Sequence, residues 1–232
     1  NYIKKNKIKT SCTPFDERSV DKIEKFKFDY IKIASVAALD FNLHERVVKN
    51  KIPKIISTGG ITIDDIDKIV SFYSKKKQNF ALMHCVSIYP TDNKNLNLNF
   101  IENLKKRYEN INIGWSTHEN PEEFLPATLA LSKGATMFEK HIGLISNKYK
   151  LNKYSITPNK FEAWLVNLKK SELMLGGYEK LIYKEELQTI DKLSRGVYAK
   201  KDLKKGDKLN SSNVYFAFPI QKGQLSSQEL KD

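Results

Sequence analysis

The sequence lacks several things that would direct its function elsewhere. Among its 232 residues there is no run approaching the ~20 apolar residues that span a bilayer, and no leader-like segment opens it. A soluble protein without a membrane partner is expected. Cysteine is almost absent: Cys12 and Cys85 are the only two, each inside an apolar strand-like run, which excludes a disulfide framework and suits a reducing cytoplasm. Arginine is equally scarce. Of 40 Lys+Arg residues only Arg18, Arg46, Arg107 and Arg195 are arginine, so the net charge of +13 is carried by lysines dispersed among Asn and Ile. Nucleic-acid readers favour the bidentate arginine fork, and this pattern is that of a solvated basic surface with no nucleic-acid partner. No glycine-rich dinucleotide turn follows any strand-like run.

What is present is a rhythm. Short apolar runs suited to buried parallel strands occur at 8–13 (IKTSCT), 30–35 (YIKIAS), 53–58 (PKIIST), 79–85 (NFALMHC), 111–116 (INIGWS) and 136–142 (TMFEKHI). Between them lie helical patterns with recognisable starts: Asp16 before ERSVDKIEKF, Thr62 before IDDIDKIVSFY, and Asn120-Pro121 before EEFLPATLALSKG, with Pro121 as first helical residue. The βα repeat points to an α/β TIM (β/α)8 barrel. Six units are two short of eight, which leaves either an open α/β sheet or a barrel lacking its first two units, ~60 residues, and with no initiator Met at Asn1 the latter is the expectation. The barrel domain is expected over 1–176, a linker over 177–194, and over 195–232 a small, incomplete β-rich module with glycine turns.

In such a barrel the strand ends that lead into helices share one face, where functional side chains gather. That face would receive Thr13, Lys32, Ser35, Ser57, Thr58, Ser87, Tyr89, Ser116, His118, Glu139 and His141. By the period of two, Glu139 and His141 point the same way, as do Ser116 and His118, so two histidines converge from neighbouring strands. Two imidazoles at a barrel mouth suit a divalent metal such as Mn2+, with water and substrate oxygen completing the shell. Lys32 with Thr13, Ser35, Ser57 and Ser116 suits a phosphate, one cation with several hydroxyl donors. Together they suggest activation of a carbonyl beside a phosphorylated partner. His44, on a helix, and His84, within an apolar strand, read as structural, and Cys85 as a small buried hydrophobe.

The motifs TSCTPFD, YIKIAS, PKIISTGG, LMHCVSIYPT, IGWSTHE, FEKHIG and SRGVYAKKDLKKGD resemble, in order, those of the bacterial sialic acid synthase family, the nonulosonic acid synthases. The resemblance implies a transferase that condenses phosphoenolpyruvate (PEP) with an N-acetylated aldose and makes a sialic acid-like sugar for a surface polysaccharide. It implies that His118 and His141 hold Mn2+ (or Mg2+ or Co2+). Thr13, Lys32, Ser35, Ser57 and Ser116 would bind PEP, and Lys32, Tyr89, His118 and His141 would be catalytic. Ser87, Tyr89 and Asn152 stand at the sugar side, Ser87 where the family often has Asn and Asn152 where an aspartate is expected. The C-terminal stretch resembles the start of the family's antifreeze-like (SAF) domain, which lids the partner's barrel in a domain-swapped homodimer. Ala37 replaces a family glutamate and Phe218 a family arginine that meets the N-acetyl group. The glutamate and lysine of the family's first two strands have no counterpart. The competing readings are a sugar-binding relative that has lost catalysis and a condensing enzyme acting on a phosphorylated aldose.

Overall fold

The computed structural model describes residues 2–230, and the outer limits of the two expected domains, 1 and 232, lie outside the described residues. The chain divides into two compact units, one ending at Gly176 and one starting at Gly177. In the first, six parallel strands follow one another in sheet order: β1 (Ser11–Cys12), β2 (Tyr30–Ile33), β3 (Lys54–Ser57), β4 (Phe80–Cys85), β5 (Asn112–Ser116) and β6 (Met137–Glu139). The helices are α1 (Tyr2–Lys5), α2 (Glu17–Phe26), α3 (Phe41–Val47), α4 (Ile63–Lys75), α5 (Asn99–Arg107), α6 (Leu125–Ser132) and α7 (Pro158–Leu175). β1 uses only the end of the run expected at 8–13, and β6 only the first part of 136–142.

The sheet curls. Lys32 on β2 and Glu139 on β6 are four strands apart, roughly 19 Å in a flat sheet at the usual spacing. Their side chains nevertheless meet at 2.7 Å. The result is an α/β half-barrel with an inner side and a helix-covered outer side. Inside the curl, a Cβ on Gly114 would stand 2.4 Å from Met83 Sδ and 2.7 Å from the Met137 carbonyl, so only glycine fits there. Outside, Ile31, Ile33, Ile56, Leu82 and Trp115 are buried beneath the helices.

Local chemistry explains the helix starts. Asp16 accepts a hydrogen bond from Ser19 N–H to cap α2, and Thr62 and Asp65 form a reciprocal capping box on α4. The start expected at Asn120-Pro121 is wrong. Asn120 instead makes a turn, its carbonyl and side chain accepting from the N–H groups of Glu123 and Glu122, and α6 begins at Leu125. A helix opened at Pro121 would hold Pro126 in its interior, where the missing N–H and ring clash break it. Started at Leu125, the helix keeps Pro126 in its first turn.

The second unit contains α8 (Lys184–Lys192) and an antiparallel pair, β7 (Gly196–Ala199) and β8 (Val214–Ala217). Part of the expected linker is therefore helix. Its exposed face is polar, with Glu185 and Glu186 in the first turn and Lys192 in the last, a charge order that complements the helix dipole.

Lys54 sits at the start of β3 with only 1% of its surface exposed. Its ammonium donates to Asn50 O at 2.8 Å and Gln78 Oε1 at 2.6 Å. Burial, with repulsion from Lys51 and against attraction to Glu24, lowers its pKa to about 8. The unfolded chain therefore binds more protons than the folded one between about pH 8 and 10.5, so Lys54 costs stability below pH 8 and the cost fades as pH rises. A shift of this size corresponds to roughly 3 kcal/mol. Urea unfolding is expected to show stability rising between pH 8 and 10 in the native protein, with that part of the rise absent in Lys54→Met.

Candidate active site

The ends of β2 to β6 that lead into helices carry the polar side chains. The Lys32 ammonium donates to both oxygens of Glu139, at 2.9 and 2.7 Å, and Ser116 Oγ donates to Glu139 Oε2 at 2.7 Å. Burial opposes ionisation of Glu139. The charge of Lys32 and the hydrogen bonds from Lys32 and Ser116 outweigh it and hold the carboxyl below its usual range. Lys32 and Ser116, expected to hold an anion, thus also hold a protein carboxylate with which a phosphate would compete. Thr13, Lys32 and Glu139 line a cavity of about 580 Å³ inside the curl.

Ser57 is buried, and its hydroxyl has no hydrogen-bond partner. Nearby, Ser35 Oγ accepts from Gly59 N–H at 3.1 Å. A Cβ on Gly59 would lie 2.3 Å from Ser87 Oγ and 2.8 Å from Ser35 Oγ, so the glycine is what lets those two hydroxyls approach one backbone segment.

His118 and His141 meet as expected, with ring centroids 5.2 Å apart. Nδ1 of His118 faces Val86 O at 3.1 Å. A carbonyl only accepts, so Nδ1 carries the proton and Nε2 keeps its lone pair. Burial lowers both imidazoles below their usual pKa, with each other's proximity adding at His141, and both are neutral near pH 7. A neutral imidazole whose far nitrogen donates to a carbonyl is the form that binds metal. Among the described residues no group of three or more His, Cys, Asp or Glu is placed to hold a metal ion. A metal here would rest on these two imidazoles.

Tyr89 lies against His118, centroids 4.2 Å apart, and Tyr154 meets Tyr89, His118 and His141 at 5.2, 6.1 and 5.0 Å. Tyr154 was not expected. Its only signal is its place two residues after Asn152. Asn152 itself is not brought in: it is exposed, and its side-chain oxygen accepts from Tyr154 N–H at 3.2 Å, shaping the turn that delivers the tyrosine. Two backbone bonds fasten these loops to the histidines, Thr91 N–H to His118 O and Ile156 N–H to His141 O, both 2.9 Å. His44 and His84 are core residues, His44 between Tyr73 OH and Ala38 O and His84 bonded to Leu96 O.

The residues next to the two histidines form a brace. Glu119 and Lys140 are joined at 2.5 Å with side chains 0% and 1% exposed, and Lys140 lies 6.0 Å over the Trp164 ring. The loops after β5 and β6 are tied together behind the imidazoles.

A curled parallel sheet with a lysine, hydroxyls and two neutral histidines gathered at one end defines an α/β half-barrel with a candidate active site at its strand ends. The chain belongs to the NeuB family, whose sequence profile matches residues 1–180. It is 32% identical to the pseudaminic acid synthase of Campylobacter jejuni over 87% of its length, spanning 58% of that protein. It is 30% identical to the N-acetylneuraminate-9-phosphate synthase of Drosophila melanogaster along its whole length, spanning 68% of that protein. Among solved structures, a spore coat polysaccharide biosynthesis protein E from Chromobacterium violaceum matches 99% of the chain with a TM-score of 0.88 and 41% identity, the chain covering 68% of it. No helix among the described residues is long and apolar enough to cross a membrane.

Removing one member of the Glu119–Lys140 pair leaves a buried charge without its partner. Lys140→Met or Glu119→Gln is expected to lower the unfolding free energy by about 3–5 kcal/mol, and the double variant Glu119→Leu/Lys140→Met by less than the sum. Denaturant titration of the three variants checks this.

Proposed function

We propose that this chain forms the catalytic part of a condensing synthase that joins PEP to an N-acetylated aldose, giving a sialic acid-like nonulosonic acid and phosphate. The observation that carries it is the meeting, at one end of one sheet, of Lys32 and its neighbouring hydroxyls with the paired imidazoles of His118 and His141. Family membership supports the same chemistry.

In this reading Lys32, Thr13, Ser35, Ser57 and Ser116 hold the phosphate and carboxylate of PEP, and the unpartnered Ser57 hydroxyl has a donor to give. His118 and His141 would hold a divalent cation such as Mn2+, which when bound acts as a Lewis acid on the aldehyde oxygen. Tyr89, beside His118, positions the sugar. The residues that grip PEP orient its C3 toward the aldehyde carbon, and a carbon–carbon bond forms there as the PEP double bond is consumed. Water adds to C2 and loses one proton while the new alkoxide gains one, then the C2–oxygen bond to phosphate breaks and the C2 hydroxyl gives up its proton to the departing phosphate, leaving a C2 carbonyl and free phosphate. Lys32 meets the charge that develops on the departing phosphate.

The same reading takes the half-barrel as part of a (β/α)8 barrel, the unit from Gly177 onward as SAF-type, and the active assembly as a domain-swapped homodimer. Phosphate release from PEP by the full-length protein with Mn2+, across a panel of N-acetylated aldoses, tests the activity. Release with one sugar is expected, lost in His141→Ala and lowered on the order of 10²–10³-fold in Lys32→Met. Release unchanged by both substitutions, or none from the folded, metal-loaded protein with any sugar, would overturn the proposal.

A further inference from the structure

The two imidazoles are held unequally. His118 is buried, and its ring is fixed by the bond from Nδ1 to Val86 O. His141 is exposed, and among the described residues its ring makes no hydrogen bond. The rings it meets there are His118, at 5.2 Å and tilted by 44°, and Tyr154, at 5.0 Å and nearly perpendicular at 83°. Tyr154 stands at 87° to His118 as well, so one phenol ring is set edge-to-face against both histidines, an arrangement that aromatic pairs favour. Tyr89, by contrast, lies against His118 and Tyr154, and among the described residues it makes no ring contact with His141.

The chain carries the Tyr154 ring on a short tether. Residues 143–155 leave the end of β6 and return to the same point, where the buried Ile156 donates its N–H to His141 O at 2.9 Å and accepts from Gly143 N–H at 3.0 Å. Tyr154 lies two residues before that closure, in the turn shaped by Asn152. The ring is therefore tied to the backbone of the histidine it touches. Its hold on the pair runs through the ring alone, since among the described residues the Tyr154 hydroxyl makes no hydrogen bond.

We propose that Tyr154 is a positioning residue of the histidine pair, its ring holding His141 at the angle to His118 at which the two share one divalent cation. The inference rests on reading His118 and His141 as a metal site. An exposed histidine turns among several rotamers unless its neighbours stop it, and a cation that needs one of them binds more weakly by the fraction of time the ring points elsewhere. A hydrogen bond would stop the ring by occupying one of its nitrogens. A perpendicular aromatic ring stops it while leaving both nitrogens uncommitted, so the lone pair that a cation needs stays available. Phenylalanine at position 154 would serve equally well, and alanine would not.

The test compares the full-length native protein with Tyr154→Phe, Tyr154→Ala and Tyr149→Ala, the last removing an exposed ring from the same loop. Calorimetric titration gives the Kd for Mn2+, and side-chain NMR of the metal-free proteins follows the imidazole signals of His118 and His141. Thermal unfolding shows that each variant is folded. Tyr154→Ala is expected to weaken Mn2+ binding about tenfold or more, the range for losing a group that orients a metal ligand, and to shift or broaden the His141 signals. Tyr154→Phe and Tyr149→Ala are expected to stay within about twofold of the native Kd with native His141 signals. Native affinity and native His141 signals in Tyr154→Ala overturn the proposal. Tyr154→Phe as weak as Tyr154→Ala overturns the role of the ring, and an equal loss in Tyr149→Ala assigns the effect to the loop as a whole and overturns it too. A native protein that binds no Mn2+, with the His141 signals still disturbed in Tyr154→Ala alone, overturns the metal reading and leaves the positioning of His141 standing.

Discussion

The salt bridge between Lys32 and Glu139 is the contact on which the geometry of this protein turns. It joins the second strand of a six-stranded parallel sheet to the last, and it can form only because the sheet curls. Parallel strands linked by helices send all their carboxyl ends to one side, and curling brings those ends within reach of one another. Lys32 is largely buried, its side chain 12% exposed, so its charge needs a carboxylate or a ligand anion close by. Glu139 provides the former and Ser116 steadies it, which keeps a cation poised inside the curl.

The site that results has two chemically distinct ends. Toward the inside of the curl lie Lys32, Thr13 and Glu139, charged and hydrogen-bonding. Toward the loops lie Val36, Leu39, Ile61 and Phe15, apolar and uncharged. The histidine pair stands with Tyr89 and Tyr154 around it, and its spacing depends on contacts one residue away: Glu119 follows His118 and Lys140 precedes His141, and their buried ion pair ties the two loops together. Backbone bonds from Thr91 and Ile156 to the two histidine carbonyls hold the tyrosine-bearing loops against the same centre. No single element makes the site.

Much of this was legible in the sequence because short-range rules governed it. The period of two placed Glu139 and His141 on one side, and the caps at Asp16 and Thr62 fell where side-chain chemistry demands. The start at Asn120-Pro121 was misread because Pro126, five residues on, exerts the stronger constraint. Tyr154 lay in a loop with no periodicity, and its arrival at the histidines depends on the turn made by Asn152 and on a bridge between Ile142 and Ile156. The pairings of Glu119 with Lys140 and of Lys54 with Gln78 were equally hidden, since charged residues in a lysine-rich chain look solvated until the fold buries them.

The surroundings of Ala37 explain why this position carries no charge. Ala37 ends the short 3-10 turn Ser35–Ala37, in which Ser35 serves Gly59, Val36 faces outward at 82% exposure, and Ala37 itself is only 7% exposed. A carboxylate at such a depth would require a cation or several donors, and its neighbours Val36, Ala38 and Leu39 supply neither in their side chains. An alanine there removes the charge and the need to compensate it in one step. The turn that bears Ala37 therefore needs no compensating charge, while the charged pair of Lys32 and Glu139 lies inside the curl.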